Sequence, residues 1–251
     1  MKEHTSRLTK CNRVRNVSFY ECDITKPESV TEVASSIKAN IGSPTILVNN
    51  AGIGKTFNIL DVPNEYLEKI MHINLISHWY TVKEFLPDMI KGKKGHIIAI
   101  ASMASYTSVA GMVDYCVTKA GVMSFHEGAH LTRPLNTKVD SSEAITGLTQ
   151  ELKHRYNAPF IQTTAVHPYW VQTALINDWE DSLRNIKNPI MTPEFVAGHI
   201  ARQIFSGKSG HLILPPSGLL NAVSGARGWP KWLQEVVNDQ TKRVTVVQRQ
   251  A

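Results

Sequence analysis

Tyr115-Cys116-Val117-Thr118-Lys119 holds the one spacing in this chain that most directly suggests proton chemistry. On a helix, residues four apart share a face, so a phenol and an ammonium would project into the same space. A nearby cation favours the phenolate and moves the tyrosine toward a pKa useful for proton transfer. Alone the pair is a weak signal, since a core tyrosine beside a surface lysine has the same spacing. Its surroundings add weight. Ser102 lies thirteen residues earlier, at the end of the apolar run HIIAIA over residues 96–101. Asn74 sits in a helical stretch, Asn49-Asn50-Ala51-Gly52 follows the apolar TILV, and Asp23 closes VSFYECDI. In open α/β sheets ligands bind outside the carboxyl ends of strands, which is where Asp23, Asn49, Asn50 and Ser102 would stand.

The elements that must position these residues follow from periodicity. Residues 17–24 read as a strand, and Pro27 opens a helix with Val30, Val33, Ala34, Ile37 and Ile41 at spacings of three and four. Residues 45–48 form a short, wholly apolar strand of the kind buried on both faces of a parallel sheet. Helical segments fill 64–90, a strand covers 96–101, and a long helix starts near Asp114. A strand over 160–166 follows. Thr192-Pro193-Glu194 starts another helix, with a capping threonine and a first-turn proline, and that helix runs to about Phe205. A last strand covers 211–214. Strands alternating with helices imply βαβ units and a doubly wound parallel sheet, an α/β fold of Rossmann type.

One segment breaks the pattern. The helix from Asp114 is amphipathic through Val122 and Phe125, then meets residues 129–147 (AHLTRPLNTKVDSSEAITG), which lack periodicity. Excising those nineteen residues puts Val122, Phe125, Leu148 and Leu152 on one stripe. The segment reads as an insertion into one helix. Its source is either a retained in-frame intron or a natural surface loop.

The chain from Val17 to about Pro216 resembles the short-chain dehydrogenase/reductase family, through Asn49-Asn50-Ala51-Gly52, Asn74, Ser102 and the Tyr115/Lys119 pair. The wording of GHIIAIASMAS and SGHLILPPS looks closest to the branch of retinol and hydroxysteroid dehydrogenases, which act on lipophilic alcohols. The resemblance implies that Tyr115 is the general acid/base, that Lys119 lowers its pKa and binds the nicotinamide ribose, and that Ser102 bonds the substrate oxygen. Asn74 would hold a water in the relay to Lys119. Asp23 and the Ile24 backbone would meet the adenine, and Asn50 the adjoining ribose. Val171 and Thr173 match the segment that clamps the nicotinamide, but Tyr169 stands where the family has glycine. If that position needs a positive φ, tyrosine is strained there.

The resemblance also exposes a departure. The family opens with a strand, a Thr-Gly-x-x-x-Gly-x-Gly turn and a helix that receives the pyrophosphate on its N-terminus. Gly42 is the first glycine here. We therefore expect a sheet lacking its first two strands, roughly 60 residues of the ordinary fold. Residues 1–16 would form a disordered or atypical N-terminus, and 17–251 a single truncated domain. In strand order 3-2-1-4-5-6 the absent strands separate residues 17–24 from 45–48 by roughly 10 Å. Either those two segments pair directly, or 45–48 becomes an exposed apolar edge.

Composition narrows the partners. Lys and Arg number 27 against 21 Asp and Glu, a net charge of +6 spread along the chain apart from Lys91, Lys93 and Lys94, which does not suggest nucleic acid. Cys11, Cys22 and Cys116 have no metal-ligand spacing, so no metal is expected and a reducing compartment fits. Nothing resembles a signal peptide or a transmembrane span, and a cytoplasmic protein is the expectation. The stretch with Trp229, Trp232, Leu233 and Val236 would pack on the core or touch a membrane surface. Residues 175–190, including Trp179, would form the substrate lid. The functional expectation is an oxidoreductase interconverting a lipophilic alcohol and its carbonyl with NADP or NAD. Its helices from Asn74 and Asp114 would form a homo-oligomer surface. A non-catalytic remnant that joins related subunits and an epimerase or lyase of the same fold stay open as alternatives.

Overall fold

A computed structural model describes residues 17–126, 147–179 and 190–218. Four parallel strands form one sheet in sequential order: β1 (Ile46–Asn49), β2 (Gly95–Ile100), β3 (Ile161–Pro168) and β4 (Gly210–Leu214). Ile97 pairs with Thr163 and Val166 with Leu212, so the strand ends carrying Asn49, Ser102 and His167 share one rim of the sheet. The expected α/β, Rossmann-like architecture is the one observed.

Helices cover both faces. α1 (Pro27–Asn40), α2 (Asn64–Met71), α3 (Ser77–Lys91), α4 (Val113–His126) and α5 (Leu148–His154) precede β3, and α6 (Pro193–Ser206) precedes β4. Neighbouring residues in a strand point to opposite faces. Accordingly, Ile97 packs with Val82, Phe85, Met89, Leu148 and Leu152 on one face. Ile98 packs with Val166, Val196 and Leu214 on the other, beneath α6. α1 is held to α3 by Thr31 donating to Glu84 (2.7 Å) and by Lys38, which bonds the Glu84 carbonyl at 2.6 Å and pairs with Asp88 at 3.2 Å. At the head of α6, Thr192 Oγ1 accepts from Phe195 N, the cap that Thr-Pro-Glu implied.

One expectation needs correction. Residues 17–24 belong to no strand, because a strand exists only with a ladder partner and, among the described residues, none pairs with them. β1 is consequently an edge, with Ile46 45% and Val48 43% exposed, the second of the two outcomes expected for that segment. The run 64–90 is filled by helical segments, as expected. A π-helical turn at His72–Ile76 separates α2 from α3. Residues 129–146 of the expected insertion lie outside the described residues, yet its two flanks meet. Thr149 Oγ1 donates to the His126 carbonyl, and Phe125 packs on the cluster containing Leu148 and Leu152. The C-terminal tryptophan stretch and most of the lid segment likewise fall outside the described residues.

Candidate active site

The site is assembled at the carboxyl rim of the sheet from β2, β3, α4 and the π turn. β2 runs into Ser102, whose extended backbone (φ −170°, ψ 162°) caps a 3-10 turn over Met103–Ser105 as Oγ accepts from Ala104 N at 3.1 Å. Ser105 then donates to the Lys119 carbonyl at 2.8 Å, tying that turn to α4. α4 comes close to the π turn because Gly121 faces Leu75, where a Cβ would lie 2.8 Å from Leu75 Cδ2.

Tyr115 and Lys119 share the inner face of α4 and are both buried, 9% and 4% exposed. The Lys119 ammonium sits 5.6 Å from the Tyr115 ring centre and donates to the Ile100 carbonyl at 2.8 Å. Burial holds the phenol protonated, pushing it up to about 12, while a hydrogen bond with Ser102 pulls in the opposite direction. Burial also pushes Lys119 down to about 8. With its ammonium turned to Ile100, Lys119 is not among the groups depressing Tyr115. Spacing alone had suggested the reverse.

Asn74 is fully buried within the π turn, a distortion that recurs at functional sites. Its Oδ1 accepts from Ile53 N at 2.8 Å, and its Nδ2 donates to Ile53 O (2.9 Å) and to Thr118 Oγ1 (3.2 Å). The amide thus fastens the loop after β1 to α4. In that loop Gly52 stands against Lys119 Nζ and Asn74 Oδ1, and a Cβ on Gly54 would lie 3.1 Å from Tyr115 Cδ2. Asn49 Oδ1 accepts from Thr81 Oγ1 at 2.9 Å, leaving Asn50 to face the cavity.

A cavity of about 560 Å³ opens over this floor. Asn50, Ser102, Tyr115, Lys119, Val171 and Thr173 line it, so most of the residues singled out in the sequence meet in one place. Asp23 and Ile24 are not part of its lining. Asp23 accepts from Thr25 N and Oγ1 and pairs with Lys26 at 3.3 Å, which lowers its pKa and turns the chain into α1. Tyr169 does not have a positive φ, so replacing glycine there strains nothing. Leu175 and Ile176, the start of the expected lid, line the cavity too, whereas the sequence reading missed the other apolar walls, among them Met103, Val109, Met112 and Trp170. Their spacing gave no cue, because they come from separate segments.

The cavity floor fits the nicotinamide-ribose end of a dinucleotide. It offers a buried ammonium, the Asn50 side chain and a loop kept slim by Gly52 and Gly54. Among the described residues no glycine-rich turn provides a pyrophosphate cradle.

Comparison with known proteins agrees with this geometry. The family model described as short chain dehydrogenase matches residues 2–138. Dehydrogenase RED2 of Cochliobolus heterostrophus is 40% identical over 151 residues, 60% of this chain and 50% of RED2. Human retinol dehydrogenase 10 is 36% identical over 168 residues, 67% of this chain and 43% of that protein. The chain thus spans about half the length of these curated relatives. Among solved structures, an alcohol dehydrogenase from the archaeon Thermococcus sibiricus complexed with 5-hydroxy-NADP superimposes with a TM-score of 0.64. It is 18% identical, and the match covers 85% of this chain and 80% of that one, a likeness of fold.

Proposed function

This chain belongs to the short chain dehydrogenase family, and from that premise we propose that it carries the catalytic centre of an NADP- or NAD-dependent oxidoreductase for lipophilic alcohols and carbonyls. The observation that carries the proposal is the buried Tyr115, Lys119 and Ser102 set at the floor of a cavity walled by Met, Leu, Ile, Val and Trp.

Tyr115 is the general acid in reduction. Its phenol is protonated well above neutrality, so it has a proton to give to a carbonyl oxygen, and in the reverse direction it takes the alcohol proton. Ser102, already hydrogen-bonded to the phenol, orients the substrate oxygen. Lys119 supplies the positive charge that stabilises the phenolate once its ammonium turns from the Ile100 carbonyl. Asn74 acts on the loop through Ile53 and keeps Gly52 against Lys119, the place where a relay water would be held. Lys119, Val171 and Thr173 are the residues proposed to hold the nicotinamide ribose and ring, Asp23 and Ile24 the adenine, and Asn50 the ribose adjoining it. The nicotinamide, when bound, supplies or accepts the hydride. The apolar walls select a lipophilic alcohol or ketone, and relatives bearing the name retinol dehydrogenase agree with that choice.

The test is titration of NADPH and of NADH into the purified chain by calorimetry, followed by turnover of long-chain primary and secondary alcohols. Turnover is expected, with dinucleotide affinity weakened by the want of a pyrophosphate cradle among the described residues. Tyr115→Phe should lower kcat by about 10²–10⁴-fold. A folded chain that turns over no alcohol or ketone would sink the proposal. A second reading, a remnant that associates with itself or related subunits, is favoured by Trp79, Val113 and Val117, which stand 42%, 48% and 52% exposed on α3 and α4. Sedimentation of the same sample tests it, since a monomer at micromolar concentration excludes self-association there.

A further inference from the structure

Behind Ser102 lies a polar cluster, running from the buried His167 through the half-buried Tyr106 to the exposed His211, that the proposed reaction does not use. His167, fully buried at the end of β3, places Nδ1 3.2 Å from the Ser102 carbonyl oxygen. Its Nε2 is 2.8 Å from His211 Nδ1, on β4, and 3.4 Å from the Tyr106 hydroxyl. Tyr106 Oη lies 3.1 Å from the same His211 nitrogen, and the two imidazoles stack with centres 5.0 Å apart. Parallel register explains the meeting. His211 pairs with Ala165, so His167, two residues on, lies on the same face of the sheet as a diagonal neighbour.

The tautomer follows from the partners. A carbonyl oxygen only accepts, so Nδ1 of His167 must carry the hydrogen, and in the neutral ring Nε2 is then an acceptor. His211 Nδ1–H donates to it. The opposite tautomer of His167 would set the Nδ1 lone pair against the Ser102 oxygen and leave the two acceptors facing each other. A doubly protonated His167 would be buried beside His211 and near Lys119, and burial pushes its pKa down to about 3. The Ser102 carbonyl also accepts from Ser105 N at 2.9 Å, so both its lone pairs are filled and the peptide between Ser102 and Met103 is fixed. That peptide sets the direction of the Ser102 side chain toward Tyr115.

We propose that His167, held as the Nδ1–H tautomer by His211 and Tyr106, is a positioning residue that aims Ser102 at the reacting oxygen through the Ser102 carbonyl. The inference rests on the oxidoreductase reading for its kinetic consequence and on geometry alone for the tautomer. Asn mimics the Nδ1–H donor of histidine at similar reach, whereas Gln places its amide nearer the Nε2 position. His167→Gln should lower kcat about tenfold or more, as misplacement of a reacting group does, with KM little changed. His167→Asn should restore most of kcat even if its melting temperature falls as far as that of the Gln variant. Losses of kcat that are equal in the two variants, or that follow their melting temperatures, would overturn the proposal. Two-bond ¹H–¹⁵N spectra of the histidine rings, assigned with His167→Asn, decide the tautomer without any turnover. An Nδ1–H signature unchanged between pH 6 and 8, where the chain stays folded, is expected, and an Nε2–H signature or a titration near neutrality would refute the clamp. A wild-type chain without turnover would sink the functional reading, and the ring spectra would still decide the tautomer.

Discussion

Lys119 illustrates how the chemistry of this site opposes the stability of the fold. Lowering its pKa from 10.5 to about 8 corresponds to about 3 kcal/mol by which the buried environment disfavours the cation. The unfolded chain binds the proton more tightly, so between pH 8 and 10.5 stability rises as pH rises, and below pH 8 the penalty is present in full. Replacing Lys119 by the similarly shaped methionine removes that penalty at the cost of the bond to the Ile100 carbonyl, worth about 1.5–3 kcal/mol for a charged donor. Lys119→Met should therefore melt level with or above the parent at pH 7 and lose turnover. The stability gain should shrink as pH approaches 10.5. Chemical denaturation at pH 7 and 10 checks this, and a variant destabilised at pH 7 would show that the carbonyl bond outweighs the buried charge.

Among the elements, α4 and α5 answer the question raised by residues 129–147. If those nineteen residues are removed, Thr149 stands four positions beyond His126. That is the spacing at which a helical threonine hydroxyl bonds a carbonyl one turn back, and the structure has this bond. Deleting 129–147 should give a chain with a longer continuous helix and a melting temperature equal to or above that of the parent, measured by circular dichroism. A deletion variant that fails to fold would mean that the segment contributes to the core. This break was legible because helical periodicity survives on either side of it. The catalytic residues were legible for a similar reason, since local spacing and strand ends place Tyr115, Lys119 and Ser102. The π turn around Asn74 left no compositional trace, because it is a backbone adjustment that no residue type or spacing signals. Residues 17–24 have strand-like composition and no strand, since pairing depends on neighbours far away in sequence. The His167–His211 contact escaped notice because only the register of β3 on β4 brings together residues forty-four apart.

At the scale of the whole molecule, His78, His126 and His167 are each nearly or fully buried, and burial lowers each from 6.5 to about 3. Folded, they stay neutral, while the unfolded chain takes up three protons as pH falls below 6.5. A depressed folded pKa means stability that is present above 6.5 and is lost progressively toward 3. Three such groups remove about 6 kcal/mol between pH 7 and 5, comparable with the whole stability of an ordinary domain, about 5–15 kcal/mol. The chain should therefore unfold in mild acid, well before its carboxylates are protonated. His126 isolates the effect, because among the described residues neither ring nitrogen has a hydrogen-bond partner and the ring packs beside Phe125 and His78. His126→Leu should leave the urea midpoint at pH 7 equal or higher and reduce the loss between pH 7 and 5 by about one third. Urea denaturation of both chains at the two pH values measures this. An unchanged pH dependence would mean that His126 is already protonated in the fold or is reached by water there.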